Sequence, residues 1–327
     1  MKRTWASEAR DLQSAVRASL AGLGGVELAR AAEEKAAVRV EQLRPALESL
    51  GILDLDPWGE EVESSAAVLA VRACGEVVAP YPVARVLSVP AAMRSDVDAL
   101  YVVDGDTGFL EHADLFDHAI AVDANGGGVR RASATSAAVR APLDPFGTAV
   151  ALASGDGAGG VAVTESAVLM SYVLDAFWVA GALQTVATDA ARYATQRRQF
   201  GKAIATFGEI RWRLADIAVA VDGLDEMATF TWFQVRRDRA SVADALAVRL
   251  AMLEAAGSVL RNAHQVFGAI GLCEEHDLTV VDRHLTPTLI RPFGQGRTLA
   301  LLVEAIDRSG FSGTFDVASR DGSIPTI

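Results

Sequence analysis

The sequence predicts a mainly α protein in which a small β-domain separates an N-terminal helical domain from a C-terminal four-helix bundle. Three observations carry that prediction. Helix formers dominate residues 8–79, short apolar runs broken by Gly and Asp fill residues 99–165, and a helical apolar period returns at Ser166 and persists. On these changes of texture the chain divides into residues 1–95, 96–165 and 166–327.

In the first region "EARDLQSAVRASLAGLG" reads as a helix stopped by its Gly-rich end. Within "ELARAAEEKAAVRVEQLRPALESLG", Pro45 is expected to separate two helices, because proline removes a backbone donor. "SSAAVLAVRACGEVVAP" reads as a further helix, with Ser64 or Ser65 as its N-cap and Pro80 beyond its end. The segments "ALYVVDGDTGFL", "DHAIAVDANGGGVRRAS" and "TAVALASGDGAGGVAVTE" then have the composition of about five short antiparallel strands.

The bundle follows from periodicity. Leu169, Val173, Ala176, Ala180, Leu183, Ala187, Ala191 and Ala194 recur at three- and four-residue steps, an alanine-rich stripe that permits close helix approach. Ile210, Leu214, Ile217, Val221 and Leu224 form a second stripe, and Leu246, Leu250, Leu253, Gly257, Leu260, His264 and Phe267 a third. "RTLALLVEAIDRS" supplies the fourth helix.

Of 327 residues, 51% are hydrophobic and 22% charged, which provides a sizeable core and argues against global disorder. A formal net charge of −12 argues against nucleic acid as a partner, because phosphate binding needs a basic face. Any anion must be met by a local cluster. Cys74 and Cys273 lie far apart without metal-ligand spacing, so both read as reduced, buried thiols and no metal is expected. No apolar leader follows "MKRTWASEAR" and no unbroken apolar run reaches membrane length, so the expectation is a soluble cytoplasmic protein with no membrane partner.

The local cluster is "RYATQRRQFGKAIATFG", which opens at Arg192. Tyr193 and Arg197 are spaced to share a helix face, and Arg198, Gln199, Phe200 and Gly201 follow where that helix must end. A guanidinium, an amide and an aromatic ring at a helix terminus could hold a phosphate and stack on a heterocycle. The same spacing also suits a solvated helix end whose arginines complement the dipole. A second stretch, "HQVFGAIGLCEEHDLTVVDRHL", places Gln265, Gly268 and Gly271 at the end of the third bundle helix, where glycines admit close approach. In it His264 reads as a core histidine, and His276 with Asp277 as a helix start.

Together, Y-x-x-x-R-x-Q-F-G-K-x-I-x-x-F, R-L-A-D-I and Q-x-x-G-x-I-G-L-x-x-E-H-D-L resemble the C-terminal bundle of the acyl-CoA dehydrogenase family. "LESLGILDL" and "VRACGEVVAPYPV" are similar to that family's first helical domain, and "EHADLFDHAIAV" to its middle β-domain. The resemblance covers most of residues 8–305 and implies the acyl-CoA dehydrogenase fold. It further implies an FAD flavoprotein that desaturates an acyl-CoA substrate, a glutamate taking the α-proton and FAD the β-hydride, with electron-transfer flavoprotein as acceptor. In such proteins the arginine–phenylalanine and glutamine–glycine elements contact the ADP part of an FAD bound mainly by the neighbouring subunit. Carried over, these are Arg197, Gln199, Phe200, Gln265, Gly268 and Gly271, with Ile204 as a lesser contact.

The sequence departs from the family's pattern in four places. The flavin-proximal T-E-x-x-x-G-S-D type loop has no match between Pro80 and Asp123, and the usual F-Q is Phe207-Gly208. The base-bearing Y-x-G-T-x-E motif is replaced by "TLIRPFGQGRTLALL", and the alternative base positions on the first bundle helix hold Ser171 and Trp178. Asp175 lies on that same helix face and is the one carboxylate there that could serve as base; Glu165 reads instead as a helix N-terminal charge. This combination resembles the shorter, degenerate subunit of actinobacterial heterotetrameric (α2β2) acyl-CoA dehydrogenases of steroid side-chain catabolism, in which a full-length partner supplies the base. A self-sufficient homomeric enzyme using Asp175, and a flavin-free scaffold on the same fold, are the alternatives.

Overall fold

The structure is a computed structural model and describes residues 5–124, 128–153 and 163–309. The N-terminal region holds helices α1 (Ser7–Gly22), α2 (Val26–Glu34), α3 (Arg44–Ser49), α4 (Glu61–Glu76) and α5 (Val83–Leu87). α1 packs along α4, which is apolar nearly all round and fills the space between α1 and the bundle. Pro45 does not divide two helices. The break comes earlier, after Glu34, and a π-helical turn (Arg39–Leu43) leads directly into α3 with Pro45 in its first turn, where a missing N–H costs nothing. Nor do Ser64 and Ser65 cap α4. The helix starts a turn earlier at Glu61, and buried Ser64 donates to the Pro57 carbonyl and accepts from the Trp232 indole at 3.1 Å.

Among the described residues the β unit has six strands: β1 (Ala99–Val103), β2 (Phe109–Glu111), β3 (Ala119–Asp123), β4 (Val129–Ala134), β5 (Val139–Ala141) and β6 (Asp144–Leu152). They form one curled sheet in the order β1-β3-β4-β6-β2, with β5 paired on β6. The pairing is not wholly antiparallel, as β1 runs parallel to β3 from Ala99↔Ala119 to Val103↔Asp123. That explains why "ALYVV" has no alternation. Leu100 and Val102 face the helical core, while Ala99, Tyr101 and Val103 face a second core inside the curl with Leu110, Ala132 and Val150. The strand expected from Gly160 onward falls almost wholly outside the described residues.

The bundle comprises α6 (Glu165–Gln196), α7 (Gly208–Arg236), α8 (Val242–Phe267) and α10 (Gln295–Ser309), with α9 (Asp277–Ile290) bridging from the bundle to α2 and β6. Among these, α6 alone is apolar enough over 18 residues to cross a membrane, at a mean hydropathy of 1.6. In the fold 83% of that window is buried, against α4, α7 and α8. Cys74 is buried as expected, and burial pushes its thiol up to about 12. Cys273 is exposed, because it lies beyond the last turn of α8.

Candidate functional site

Two loci of chemical interest lie towards opposite ends of α6. Near its start Ser171, Asp175 and Trp178 share one face. Asp175 and Trp178, with Arg85 of α5, Glu111 of β2, Phe146 of β6 and His284 of α9, line a pocket between the three regions of the chain. Arg85 dominates it. Its buried guanidinium approaches Asp175 Oδ1 at 3.0 Å, donates to Glu111 Oε1 through Nε and Nη2 at 3.2 Å each, and donates to Ser171 Oγ at 3.1 Å. Burial raises the Asp175 carboxyl above its ordinary value, with Arg85 opposing the rise. Burial also works to lower the Arg85 guanidinium, but Asp175 and Glu111 hold it above its ordinary value. Asp175 is therefore one arm of an internal ion triad. Arg291 extends the set, 3.5 Å from Glu111 Oε2 and bonded to Asp144.

Buried charges also tie the walls of the pocket to the N-terminal helices. Arg39, on the π-helical turn, grips Asp114 with two bonds of 3.1 and 2.6 Å and lies 3.1 Å from His112 Nδ1. His112 occupies the left-handed region at φ 56° and stacks on Phe146 at 4.6 Å. Burial and then Arg39 push its imidazole well below the usual range, so Nδ1 is an unprotonated acceptor for a guanidinium that can only donate. Glu33 of α2 accepts from Arg283 at 2.9 Å and pairs with His284 Nε2 at 2.8 Å. Burial works to raise the Glu33 carboxyl, yet His284 and Arg283 outweigh it and bring it down to about 2.

At its other end α6 stops at Gln196. Arg197 is already extended, with φ −67° and ψ 124°, so it does not share a helix face with Tyr193. Arg198–Gln199 and Lys202–Ala203 pair as a tight hairpin whose tip is Phe200 (φ 50°) and Gly201 (φ 80°). That backbone turns the tip outward. Phe200 is 91% exposed, edge-on to Phe207 at 6.1 Å, and Gln199 is exposed beside it. The exposed Arg197 side chain makes no hydrogen bond or ion pair among the described residues. Ile204 is half-buried, and its N–H donates to the Arg197 carbonyl at 2.8 Å.

The second predicted motif lies at this same end. Tyr193 of α6 and Phe267 of α8 meet with centroids 5.0 Å apart, which brings the end of α8 beside the hairpin. Gln265 is exposed, and Gly268 is exposed at φ 67° with open space where a side chain would stand. Gly271 is buried, and a Cβ there would lie 2.9 Å from Phe267 Cβ. His264 is not a core histidine. It is half-buried and 3.4 Å from Asp282. His276 does start α9, its Nδ1 accepting from the Leu278 N–H at 3.1 Å. The fold thus gathers a free guanidinium, two amide side chains, an exposed ring and an uncovered backbone turn on one surface, donors and planes suited to a diphosphate and a heterocycle.

Sequence reasoning missed Arg85, Glu111, Arg39, His112 and Arg291. The available signal was charge inside otherwise apolar stretches, the lone Arg85 of "PYPVARVLSVP" and the Glu111, His112 and Asp114 of "GFLEHADLF".

A helical layer, a small curled sheet and an antiparallel bundle in this order make up the acyl-CoA dehydrogenase fold. Residues 158–307 match the family model "Acyl-CoA dehydrogenase, C-terminal domain". That stretch is an acyl-CoA dehydrogenase C-terminal domain, and the chain around it has the acyl-CoA dehydrogenase fold. Among solved structures it is similar to a chain of the ChsE4-ChsE5 complex from Mycobacterium tuberculosis, at 20% identity and a TM-score of 0.76 over 94% of this chain and 100% of that one. It is also similar to a variant of the Tcur3481-Tcur3483 steroid ACAD (16% identity, TM-score 0.77, 92% and 98% covered). Butyryl-CoA dehydrogenase from Megasphaera elsdenii matches at 16% identity and a TM-score of 0.68, with 94% and 100% covered.

Proposed function

We propose that this chain is a subunit of an FAD-dependent acyl-CoA dehydrogenase, one that completes the flavin site of a full-length partner of the same fold and has no catalytic glutamate of its own. The observation that carries the reading is the contrast between the two ends of α6. The surface end presents Arg197, Gln199, Phe200, Gln265 and Gly268 to solvent, while the carboxylate at the other end is tied up by Arg85.

When bound, FAD supplies the hydride acceptor for α,β-desaturation of an acyl-CoA thioester, and electron-transfer flavoprotein takes up the electrons. Arg197 would neutralise the pyrophosphate, Gln199 and Gln265 would donate to its oxygens or to the adenine edge, and Phe200 would cover an adenine face. Gly268 would let the backbone approach, and Ile204 would lie behind the hairpin. An α-proton of a thioester is weakly acidic and needs a positioned, free base, a condition that neither Ser171 nor Trp178 can meet. The partner would supply it. The two-chain character of ChsE4-ChsE5 and the steroid ACAD pair supports a hetero-oligomer in lipid or steroid catabolism.

The test is flavin stoichiometry. The chain purified alone is expected to be colourless, and co-expressed with a gene-adjacent full-length homologue it is expected to form a yellow complex with fewer flavins than chains. A lone chain that binds stoichiometric FAD and oxidises acyl-CoA would sink the proposal.

A further inference from the structure

We infer that the pocket beside α6 is a binding site for a neutral cyclic alcohol: His112 and His284 present one hydrogen-bond donor and one acceptor beside Phe146, and a hydroxyl group completes both. The inference goes beyond the partner-subunit reading and does not rest on it.

The two roles follow from what holds each ring. Arg39 meets His112 at Nδ1, 3.1 Å away, and a guanidinium can only donate, so the lone pair is on Nδ1 and the ring proton on Nε2. Glu33 meets His284 at Nε2, 2.8 Å away, and a carboxylate can only accept, so here too the proton is on Nε2 and the lone pair on Nδ1. The rings are the same tautomer, held by opposite nitrogens. Burial lowers both imidazoles below the ordinary histidine value, which keeps them neutral at pH 7. The nitrogens left over are a donor, His112 Nε2–H, and an acceptor, His284 Nδ1. Neither has a hydrogen-bond partner among the described residues, and neither is sealed from solvent.

Both residues line the pocket, whose space of about 540 Å³ is open to solvent and falls in the range of small-molecule sites. His112 stacks on Phe146 at 4.6 Å and His284 meets the same ring edge-on at 5.6 Å, so one phenyl ring spaces the donor from the acceptor. Tyr81, Pro82, Trp178 and Pro287 add apolar surfaces for a hydrocarbon ring. The charged groups of the lining are already matched to one another: Arg85 serves Glu111 and Asp175, and Arg291 is bonded to Asp144. A hydroxyl gives its proton to His284 and takes that of His112. A ketone or an ether accepts but has nothing to give, an ammonium gives but cannot accept, and each leaves one imidazole nitrogen unpaired.

The test is calorimetric titration of the whole chain, without flavin or partner, using cyclohexanol as the probe. Saturable binding in the millimolar range is expected, with cyclohexanone, methoxycyclohexane and cyclohexylammonium each held roughly 5- to 100-fold more weakly. His284→Phe keeps a ring but removes the acceptor, and should lose the preference for cyclohexanol over cyclohexanone. If that variant does not fold, nitrogen NMR of the wild-type histidine rings takes its place: both should report the Nε2–H tautomer, and cyclohexanol should shift His112 Nε2 and His284 Nδ1. No saturable binding of cyclohexanol, equal or tighter binding of cyclohexanone or cyclohexylammonium, an unchanged preference in folded His284→Phe, or an Nδ1–H tautomer at either ring would each overturn the inference. None of these readouts involves flavin or a partner, so this inference and the partner-subunit reading can fail separately.

Discussion

A Cβ on Gly75 of α4 would stand 1.9 Å from the carbonyl oxygen of Trp178 on α6, and one on Gly181 would stand 2.0 Å from the carbonyl oxygen of Arg72. The two helices therefore cross backbone against backbone, each omitting one side chain at the crossing. This contact fixes the height of Trp178 and Asp175 relative to α5, and so places the pocket.

Gly75→Ala is expected to destabilise. In an exposed helix interior the change gains about 1 kcal/mol from backbone entropy. Here the new methyl meets immovable backbone, and overpacking of this kind costs roughly 1–3 kcal/mol or more, so the clash wins. Urea unfolding should show a lower midpoint for Gly75→Ala. Gly223→Ala on the exposed side of α7, with nothing within 4 Å of the new methyl, should hold or raise it.

Acid should weaken the fold through Glu33 and His284. The Glu33 carboxyl is depressed from 4.5 to about 2 in the folded chain, so its contribution is present above pH 4.5 and is lost as pH falls towards 2. His284 is lowered by burial from 6.5, so the unfolded chain takes up that proton first and the sign is the same. Stability measured by denaturant should decline below pH 6.5 and most steeply below pH 4.5, with Glu33 accounting for on the order of 3 kcal/mol. Glu33→Gln should be less stable at pH 7 but give a flatter acid limb. An unchanged acid limb would remove Glu33 as the cause.

Arg39→Ala should be among the most damaging single changes outside the apolar core. It leaves Asp114 without its two bonds and His112 without its donor, a loss of roughly 3–5 kcal/mol for one partner of a buried pair. Calorimetry on the variant checks this, and a melting point within a degree or two of wild type would refute it.

Arg197→Ala should separate binding from folding. The side chain is exposed and makes no bond among the described residues, so the melting point of the lone chain should not move. In a flavin-bearing complex, loss of a charge-assisted bond of about 1.5–3 kcal/mol should weaken flavin retention roughly 10- to 150-fold. Phe200→Ala, removing a ring that is 91% exposed, should follow the same pattern more mildly. Unchanged flavin retention in Arg197→Ala would count against its assigned contact.

What the sequence disclosed and what it withheld divide by distance along the chain. The bundle stripes, the end of α6 before Gly201 and the start of α9 at His276 are local, so period and residue type suffice to find them. The Arg85 triad joins Arg85 to Glu111 and Asp175, far along the chain in both cases, and ion pairs of that range leave no periodic trace. Ser64 misled because serine before an apolar run usually caps a helix, whereas here burial recruits its hydroxyl to Trp232. The parallel β1–β3 pair was invisible for a related reason. A run buried on both faces reads the same whichever way its neighbour points.

From Asp175 to Arg197, α6 and its exit cover 22 positions, about 33 Å at the helical rise. A single rigid rod thus carries an inward-looking end and an outward-looking end that share no side chain. A substitution at one has no physical route to disturb the other short of breaking the rod. The ion cluster around Asp175 and the exposed hairpin beyond Gln196 can therefore be altered separately, each by substitutions that leave the other in place.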